Sequence, residues 1–212
     1  MLLPPLKFIL SLLEFVLIIG FSFSFYQILK LYLHLNSEIL FFLSGILFYI
    51  ILRLSVERFS DHSFRFLDNF EHELTHIFFS LICFKSVNKL TVTRQSGGSV
   101  EVTGDNLIIR LSPYFFPLLA FIALIPYPFL QIGYKKYDLL LVGIGVGIHL
   151  ISTIKDIHIE QPDLVKNGFV FSMIFVTLMN LIFLGILFTI PVGTNHIWDF
   201  LITGFTSPFS IF

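Results

Sequence analysis

The sequence predicts an all-α polytopic membrane protein with about six transmembrane helices and one small β-hairpin insertion. Hydrophobic residues occupy 56% of its 212 positions and charged residues only 13%, whereas soluble domains average about 45–50% and about 25%. The mean hydropathy is +0.89, and the apolar residues fall into runs close to the roughly 20 residues that a helix needs to cross a bilayer. No repeat or low-complexity linker divides the chain, so we expect one domain over residues 1–212.

Five long apolar segments are the predicted spans. They cover, in order, about residues 6–33, 39–54, 112–130, 139–154 and 164–190. A further helix over about residues 64–84 is polar in its first half and wholly apolar in its second, which brings the expected number to about six. The apolar tail, residues 196–212, is too short and too interrupted to count as a span.

Residues 86–111 are the predicted β insertion, because the periodicity there changes from helical to alternating. The sequence Gln-Ser-Gly-Gly at 95–98 separates two alternating runs, and a short glycine-containing segment in this position is a hairpin signal. We therefore expect two antiparallel strands outside the membrane. The alternating apolar positions are Leu90, Val92, Val100 and Val102.

The helix predicted for residues 64–84 carries an H-E-x-x-H motif at residues 72–76. His72 and His76 are slightly more than one helical turn apart, so both imidazoles project from the same face. Two neutral imidazoles on one face can bind a single Zn²⁺, and Glu73 beside them can accept a proton from the attacking water. The motif therefore predicts a metal site with two histidine ligands and a catalytic glutamate.

A second polar cluster, residues 155–163, can supply the third ligand that a catalytic zinc site needs. Asp156 and Asp163 are the candidates. Asp163 follows Pro162, and proline favours the first turn of a helix, so its carboxylate is expected on a rigid element at the start of the last span. We therefore favour Asp163 over Asp156, with His158 between them as a further alternative.

Outside these two clusters the sequence excludes several other kinds of site. Cys83 is the only cysteine, so a disulfide framework and a cysteine-rich zinc site are excluded. A net charge of −1 without a basic run gives no sign of nucleic-acid binding. Within the apolar segments, His149 is interpreted as a buried, hydrogen-bonded histidine and Asn180 as a polar contact to a neighbouring helix.

Together these features resemble the membrane-embedded zinc metalloproteases of the site-2 protease class, particularly its smaller branch. The resemblance is carried by the motif at residues 72–76, the β insertion that follows it, and Pro162-Asp163 at the start of a late span. It extends over about residues 64–188. The zinc ligands that it implies are His72, His76 and Asp163, with Glu73 as the general base.

The resemblance also implies a function and a location. It implies a zinc-dependent endopeptidase that hydrolyses peptide bonds of membrane proteins or membrane-associated peptides, in contact with the lipid bilayer. Residues 64–190 would form the catalytic core and residues 1–60 the N-terminal helices. The expected location is the bacterial inner membrane, and no nucleic-acid partner is expected.

Two other functions are open at the level of sequence. The first is a non-catalytic membrane metal-binding protein or degenerate protease-like scaffold, since the class usually has glycine at the position of Thr75 and at the position of Leu164. The second is a membrane di-iron oxidase, because two histidines four positions apart also match one histidine box of such enzymes. That function needs several boxes, which the other histidines do not provide.

Overall fold

The computed structural model describes residues 3–58, 64–92 and 98–210, and these are mostly helical. The elements, in chain order, are α1 (Pro4–Leu31), α2 (Ser37–Glu57), α3 (Arg65–Ile82), β1 (Val87–Val92), β2 (Gly98–Val102), α4 (Leu107–Leu111), a 3-10 turn (Ser112–Tyr114), α5 (Leu118–Leu124), a second 3-10 turn (Tyr127–Phe129), α6 (Ile132–Asp156), α7 (Pro162–Val165), α8 (Phe169–Thr189) and α9 (His196–Ser210). This confirms the predicted helical class with its two-stranded insertion.

Within the described ranges, four helices are long and apolar enough to cross a membrane: α1, α2, α6 and α8. The number rises to five if the bent pair of segments Leu107–Tyr114 and Leu118–Phe129 forms one broken span. The expected number of about six is therefore not confirmed. Helix α3 is not among the spans, and its first half carries buried polar side chains that pack against other parts of the protein.

The segment predicted as a straight span over residues 112–130 is broken. The segments Leu107–Tyr114 and Leu118–Phe129 meet at an angle of 79°, and Pro117 stands between them, immediately before α5. Proline lacks a backbone N–H and disfavours helical geometry at the residue before it. Two more prolines, Pro126 and Pro128, end the second half in a 3-10 turn.

Two further boundaries differ from the prediction. Residues 107–111 form helix α4 instead of extending the β insertion, because the Asn106 side chain caps the helix by accepting a hydrogen bond from the Ile109 amide (2.8 Å). The last predicted span, 164–190, is interrupted at Gly168, whose φ of +96° is a left-handed conformation that favours glycine. Asp163 therefore lies in the separate short helix α7.

Strands β1 and β2 pair in antiparallel register, with Leu90 opposite Val100 and Thr91 opposite Ser99. The predicted hairpin is therefore confirmed, although its strands end at Val102. The turn predicted at 95–98 lies outside the described residues except for Gly98.

The spans pack through close backbone contacts. A Cβ on Gly45 of α2 would lie 2.1 Å from the Leu140 carbonyl oxygen, and one on Gly143 of α6 would lie 2.1 Å from the Phe42 carbonyl oxygen. Glycine at both positions lets α2 and α6 approach closely, as small residues do in membrane helix pairs. The end of α6 and the end of α2 are thereby fixed relative to each other.

Helix α3 is fastened to the end of α2 by a buried ion pair. Arg53, only 1% exposed, donates from both terminal nitrogens to Asp68 at 2.7 and 2.5 Å and from Nε to Glu57 at 2.5 Å. Glu57 also pairs with Lys155 on α6. These contacts place the first turn of α3 against the ends of α2 and α6, and the H-E-x-x-H motif follows immediately.

Candidate metal centre

The structure brings together His72, His76 and Asp163. The two histidines lie on one face of α3, with ring centroids 4.9 Å apart, and Asp163 approaches from α7. Nε2 of His72 and Nε2 of His76 lie 4.0 and 3.8 Å from Oδ2 of Asp163. One ligand atom from each residue falls within 4.8 Å of the other two.

The outward-facing nitrogens of both imidazoles have their own partners. Nδ1 of His72 lies 3.3 Å from Oδ2 of Asp156 at the end of α6, and Nδ1 of His76 donates to the carbonyl oxygen of Ile109 in α4 at 2.8 Å. A carbonyl oxygen can only accept, so the neutral His76 ring carries its proton on Nδ1 and leaves Nε2 with a free lone pair. Metal-binding histidines typically have this kind of outer partner, which fixes the tautomer and the ring orientation.

These positions also explain the roles of the other predicted ligand candidates. Asp156 reaches the His72 ring from the side opposite Asp163, which makes it an orienting partner of the imidazole. His158 turns its Nδ1 to the backbone carbonyl of Asp156 at 2.9 Å and is exposed. Of the described carboxylates and histidines, the three converging ones are the two motif histidines and Asp163.

Glu73 lies beside this cluster, 7% exposed, under strand β2. Gly98, the first residue of β2, sits directly on its side chain: a Cβ at that position would lie 2.4 Å from Cγ and 2.7 Å from Oε1 of Glu73. The missing side chain of Gly98 therefore provides the space that Glu73 occupies. The hairpin and the motif helix are therefore in direct contact at this point.

The electrostatics of the cluster follow from burial and from neighbouring charges. Burial, with a smaller contribution from His72, lowers the pKa of His76 to about 4, so this ring is neutral at physiological pH. Burial acts in the same direction on His72, but its hydrogen bond to Asp156 and the negative charges of Asp156, Glu73 and Asp163 together outweigh burial and raise the pKa. Burial raises the pKa of the Glu73 carboxyl and of the Asp163 carboxyl.

A cavity of about 460 Å³ opens over the cluster. Its lining includes the motif side chains, Asp163 and, from strand β2, Ser99, Val100 and Val102. The cavity therefore joins three ligand atoms, a buried carboxylate and a strand in one space. A cavity of this size accommodates a few residues of an extended chain.

The donor set fits a Zn²⁺ ion. Two imidazole nitrogens and one carboxylate oxygen are typical ligands of catalytic zinc, and three protein ligands leave a fourth position open. Ligands about 2.0–2.1 Å from a shared tetrahedral ion lie roughly 3.4 Å apart, so separations of 3.8 and 4.0 Å need only a small inward movement. The same donors also accept other first-row divalent metals.

Several contributors to the site have no signature in the sequence. Tyr114, the last residue of the first 3-10 turn, packs edge-on against His72 with centroids 5.3 Å apart. Its hydroxyl lies 3.5 Å from Asp163 and accepts a hydrogen bond from Gln161 at 2.7 Å. Neither these contacts nor the Ile109 carbonyl could be found by reading side-chain types, because they depend on how α4 and α7 fold over α3.

The interpretations of His149, Asn180 and Thr75 can be compared with their contacts. His149 is 1% exposed and pairs through Nε2 with Asn180 at 3.1 Å, while Asn180 also donates to the Tyr114 carbonyl at 2.7 Å. These two residues link α6, α8 and the segment before α5, as expected. Thr75 is fully buried, and its hydroxyl donates to the Glu71 carbonyl at 2.8 Å. This hydroxyl is therefore hydrogen-bonded within its own helix.

No protein-family model, no curated protein and no solved structure matches this chain. The functional argument therefore rests on the geometry of the site.

Proposed function

We propose that the protein is a zinc-dependent endopeptidase of the membrane, similar in its chemistry to the site-2 protease class. The observation that carries this proposal is the convergence of His72, His76 and Asp163, with both outer imidazole nitrogens held and Glu73 buried beside them. A purely structural histidine pair would not need three acceptor atoms that face one another. Such an arrangement is stabilised by a cation.

In the proposed reaction, His72, His76 and Asp163 would hold the metal, and Asp156 and the Ile109 carbonyl would keep the two rings aligned. A bound Zn²⁺ would act as a Lewis acid and lower the pKa of water. Glu73 would accept a proton from the attacking water and deliver it to the leaving amine. Burial raises the proton affinity of Glu73, which suits a group that must take up and return a proton near neutral pH.

We infer that the substrate peptide lies along strand β2. Among the described strands, β2 pairs with β1 on one edge only, and its residues line the same cavity as the proposed metal ligands. An extended peptide can pair with such an edge by β-augmentation, which exposes its backbone carbonyl groups to attack. Membrane proteins or membrane-associated peptides are the proposed substrates, and a bacterial inner-membrane location belongs to the same proposal.

The test is a paired measurement of metal content and peptide-bond cleavage on the purified full-length protein, for the wild type and for Glu73→Gln. We expect about one zinc per chain in both proteins and a loss of cleavage of roughly 10²–10⁴-fold in the variant, the contribution of a positioned general base. Glu71→Gln is the matched control, since it makes the same change two residues away at a buried carboxylate that does not line the cavity.

The alternatives give different results. Wild-type protein that holds zinc and cleaves nothing would be a metal-binding scaffold. Two irons per chain would indicate the oxidase. Equal cleavage by Glu73→Gln and wild type would remove Glu73 from the mechanism.

A further inference from the structure

Three charged side chains outside the proposed ligand set also line the metal cavity. They are Asp105, Arg110 and Lys166. Asp105 stands between β2 and α4, Arg110 lies in α4, and Lys166 directly follows α7. The cavity therefore contains two cations in the same space as Asp163, the carboxylate that the proposed function assigns to the metal.

Both cations bind Asp105. Nη2 of Arg110 and Nζ of Lys166 donate to the same oxygen, Oδ2 of Asp105, the latter at 2.6 Å. Within the part of the chain that the structure describes, neither cation forms an ion pair with Asp163, whose nearest basic groups are the two motif histidines at 4.0 and 3.8 Å. The Asp163 carboxylate is therefore free of both cations.

Without Asp105, Arg110 would need another carboxylate. Arg110 is 8% exposed, and a buried charge that loses its partner is strongly destabilising. Burial raises the pKa of the Asp163 carboxyl, and the charges of His72 and Arg110 act in the opposite direction, whereas the charges that act on the pKa of Glu73 are those of His72 and Asp163. Arginine pairs readily with a carboxylate through two parallel hydrogen bonds, so Asp163 is the next acceptor for Arg110.

Lys166 is a weaker competitor for the same carboxylate. It lies three positions after Asp163 on one short helical segment, where side chains are neighbours. However, 63% of its side chain is exposed, and an exposed lysine gains little free energy from an ion pair. The buried Arg110 is therefore the cation that has to be kept from Asp163.

We infer that Asp105 is a positioning residue, which binds Arg110 and thereby keeps the Asp163 carboxylate available for the metal. The metal in this statement rests on the proposed function. Asp105 is not one of the three converging ligand residues, so it acts through Arg110. One cavity carboxylate neutralises the cation, and the other stays free to act as a ligand.

The first test is zinc binding to the metal-free, full-length protein in detergent micelles, measured by competition with a chromophoric chelator. Asp105→Asn should raise the zinc Kd by about 10–100-fold, the usual range for a group that acts on a metal site from outside its ligands. Asp105→Glu, which retains the carboxylate, should stay within a few-fold of wild type.

A second substitution separates this role from a merely structural one. Adding Arg110→Met to Asp105→Asn should return the Kd to within a few-fold of wild type, because the competing cation is gone. Adding Lys166→Met instead is the matched control and should leave binding weak. The inference is overturned if the Arg110→Met double variant binds zinc as weakly as Asp105→Asn, since Asp105 would then only link α4 to α7. An unchanged Kd in Asp105→Asn overturns it as well.

The second test is the stability of the protein in the presence of a chelator, which needs no metal. In the wild-type background, Asp163→Ala should leave the unfolding equilibrium constant unchanged or lower it. In the Asp105→Asn background, the same substitution should raise this constant about 10-fold or more, because it removes the new partner of the buried Arg110. Equal effects of Asp163→Ala in the two backgrounds would contradict the inference, and so would an Asp105→Asn protein that does not fold, because Arg110 would then have found no acceptor.

The two tests also separate this inference from the proposed function. If wild-type protein binds zinc and cleaves no peptide, the peptidase proposal fails, and the zinc Kd values of the variants still decide the role of Asp105. If wild-type protein binds no zinc, the metal centre fails, whereas the stability comparison still decides whether Asp105 keeps Arg110 from Asp163. If wild-type protein binds zinc and cleaves peptides, and Asp105→Asn has the same Kd, the proposed function stands and the inference fails.

Discussion

Helix α3 carries two buried polar clusters about one turn apart, and they are built on opposite principles. At Asp68, a carboxylate faces the guanidinium of Arg53 through two hydrogen bonds of 2.7 and 2.5 Å, so that donors meet acceptors. At His72 and His76, Nε2 of each ring faces the Asp163 carboxylate at 4.0 and 3.8 Å, too far for a hydrogen bond. We call the first cluster closed, because its donors and acceptors pair with each other, and the second open, because the proposed function completes it with a cation.

The contrast shows how to distinguish a structural cluster from a functional one in an apolar protein. Charged groups are costly in such surroundings, so each cluster must be compensated. The Arg53–Asp68 pair is compensated by the fold itself and fixes α3 against α2. In the histidine cluster, acceptor atoms face one another, which costs stability. Proteins typically retain such arrangements where function requires them.

The largest expected effect is on the closed cluster. Arg53→Met should lower the free energy of unfolding by about 3–5 kcal/mol, because Asp68 is left buried without its partner. The double variant Arg53→Met, Asp68→Leu should recover most of this loss, since replacing both partners of a buried pair by apolar residues is often neutral. The free energies of unfolding of the single and the double variant are measured on the detergent-solubilised proteins.

A double variant as unstable as Arg53→Met alone would contradict this account of the closed cluster. The loss would then come from the contacts of Arg53 with Glu57 and Tyr49. Asp68→Asn gives a further check, because it removes the charge and keeps one acceptor for the guanidinium. Its loss of stability should be smaller than that of Arg53→Met.

A substitution in the open cluster should not lower the stability of the metal-free protein, in contrast to a substitution in the closed cluster. Asp163→Ala should reduce zinc affinity by more than about 100-fold, beyond the range of an outer partner, while the metal-free protein stays as stable as wild type or becomes more stable. The physical reason is that burial disfavours the charged Asp163 carboxylate, as its raised pKa shows, and alanine removes that cost. Zinc titration and unfolding in the presence of a chelator measure the two quantities.

Loss of metal-free stability in Asp163→Ala would mean that Asp163 has a structural partner and that the cluster is closed as well. Tyr114 is the nearest such partner, with its hydroxyl 3.5 Å from Asp163. Tyr114→Phe therefore serves as the control for that contact. It should leave zinc affinity within a few-fold of wild type.

A smaller effect is expected at the outer partner of His72. Asp156→Ala should weaken zinc binding by about 10–100-fold, the usual effect of removing a group that orients a metal-binding histidine, and the stoichiometry should remain one metal per chain. Isothermal titration of the metal-free protein separates affinity from stoichiometry. If Asp156→Ala abolishes zinc binding and Asp163→Ala does not, the ligand is Asp156 and the two roles are reversed.

The sequence predicted the parts of this site that depend on local periodicity. The helical spacing of His72 and His76 places both rings on one face, and Pro162 marks the start of the helix that carries Asp163. The alternating pattern from Leu90 to Val102 predicted the hairpin. These features depend on neighbours within a few positions, so they can be read from a single sequence.

The remaining features of the fold and of the site depend on contacts between segments that are distant in the sequence. Nothing in the neighbouring sequence of Arg53 shows that it pairs with Asp68 fifteen positions later. The helix at 107–111 was mistaken for part of the β insertion, since the Asn106 cap is a weak signal beside an alternating run. The break at Gly168 was missed because a single glycine inside a long apolar segment usually continues the helix.

The last and smallest predicted effect concerns Gly98, which links the hairpin to the open cluster. A Cβ in Gly98→Ala would lie 2.4 Å from Cγ of Glu73, so the flexible Glu73 side chain must move by about 1 Å to reach an ordinary contact distance. A 1 Å misplacement of a rigid group can cost about 100-fold in rate, and because Glu73 can partly restore its position by rotating, we expect kcat to fall about 10-fold while zinc content stays the same. Gly133→Ala is the matched control, because a Cβ there would meet nothing within 4 Å. Unchanged kcat in Gly98→Ala would show that β2 does not constrain Glu73, and the geometry of the open cluster would then depend only on the proposed ligands and their outer partners.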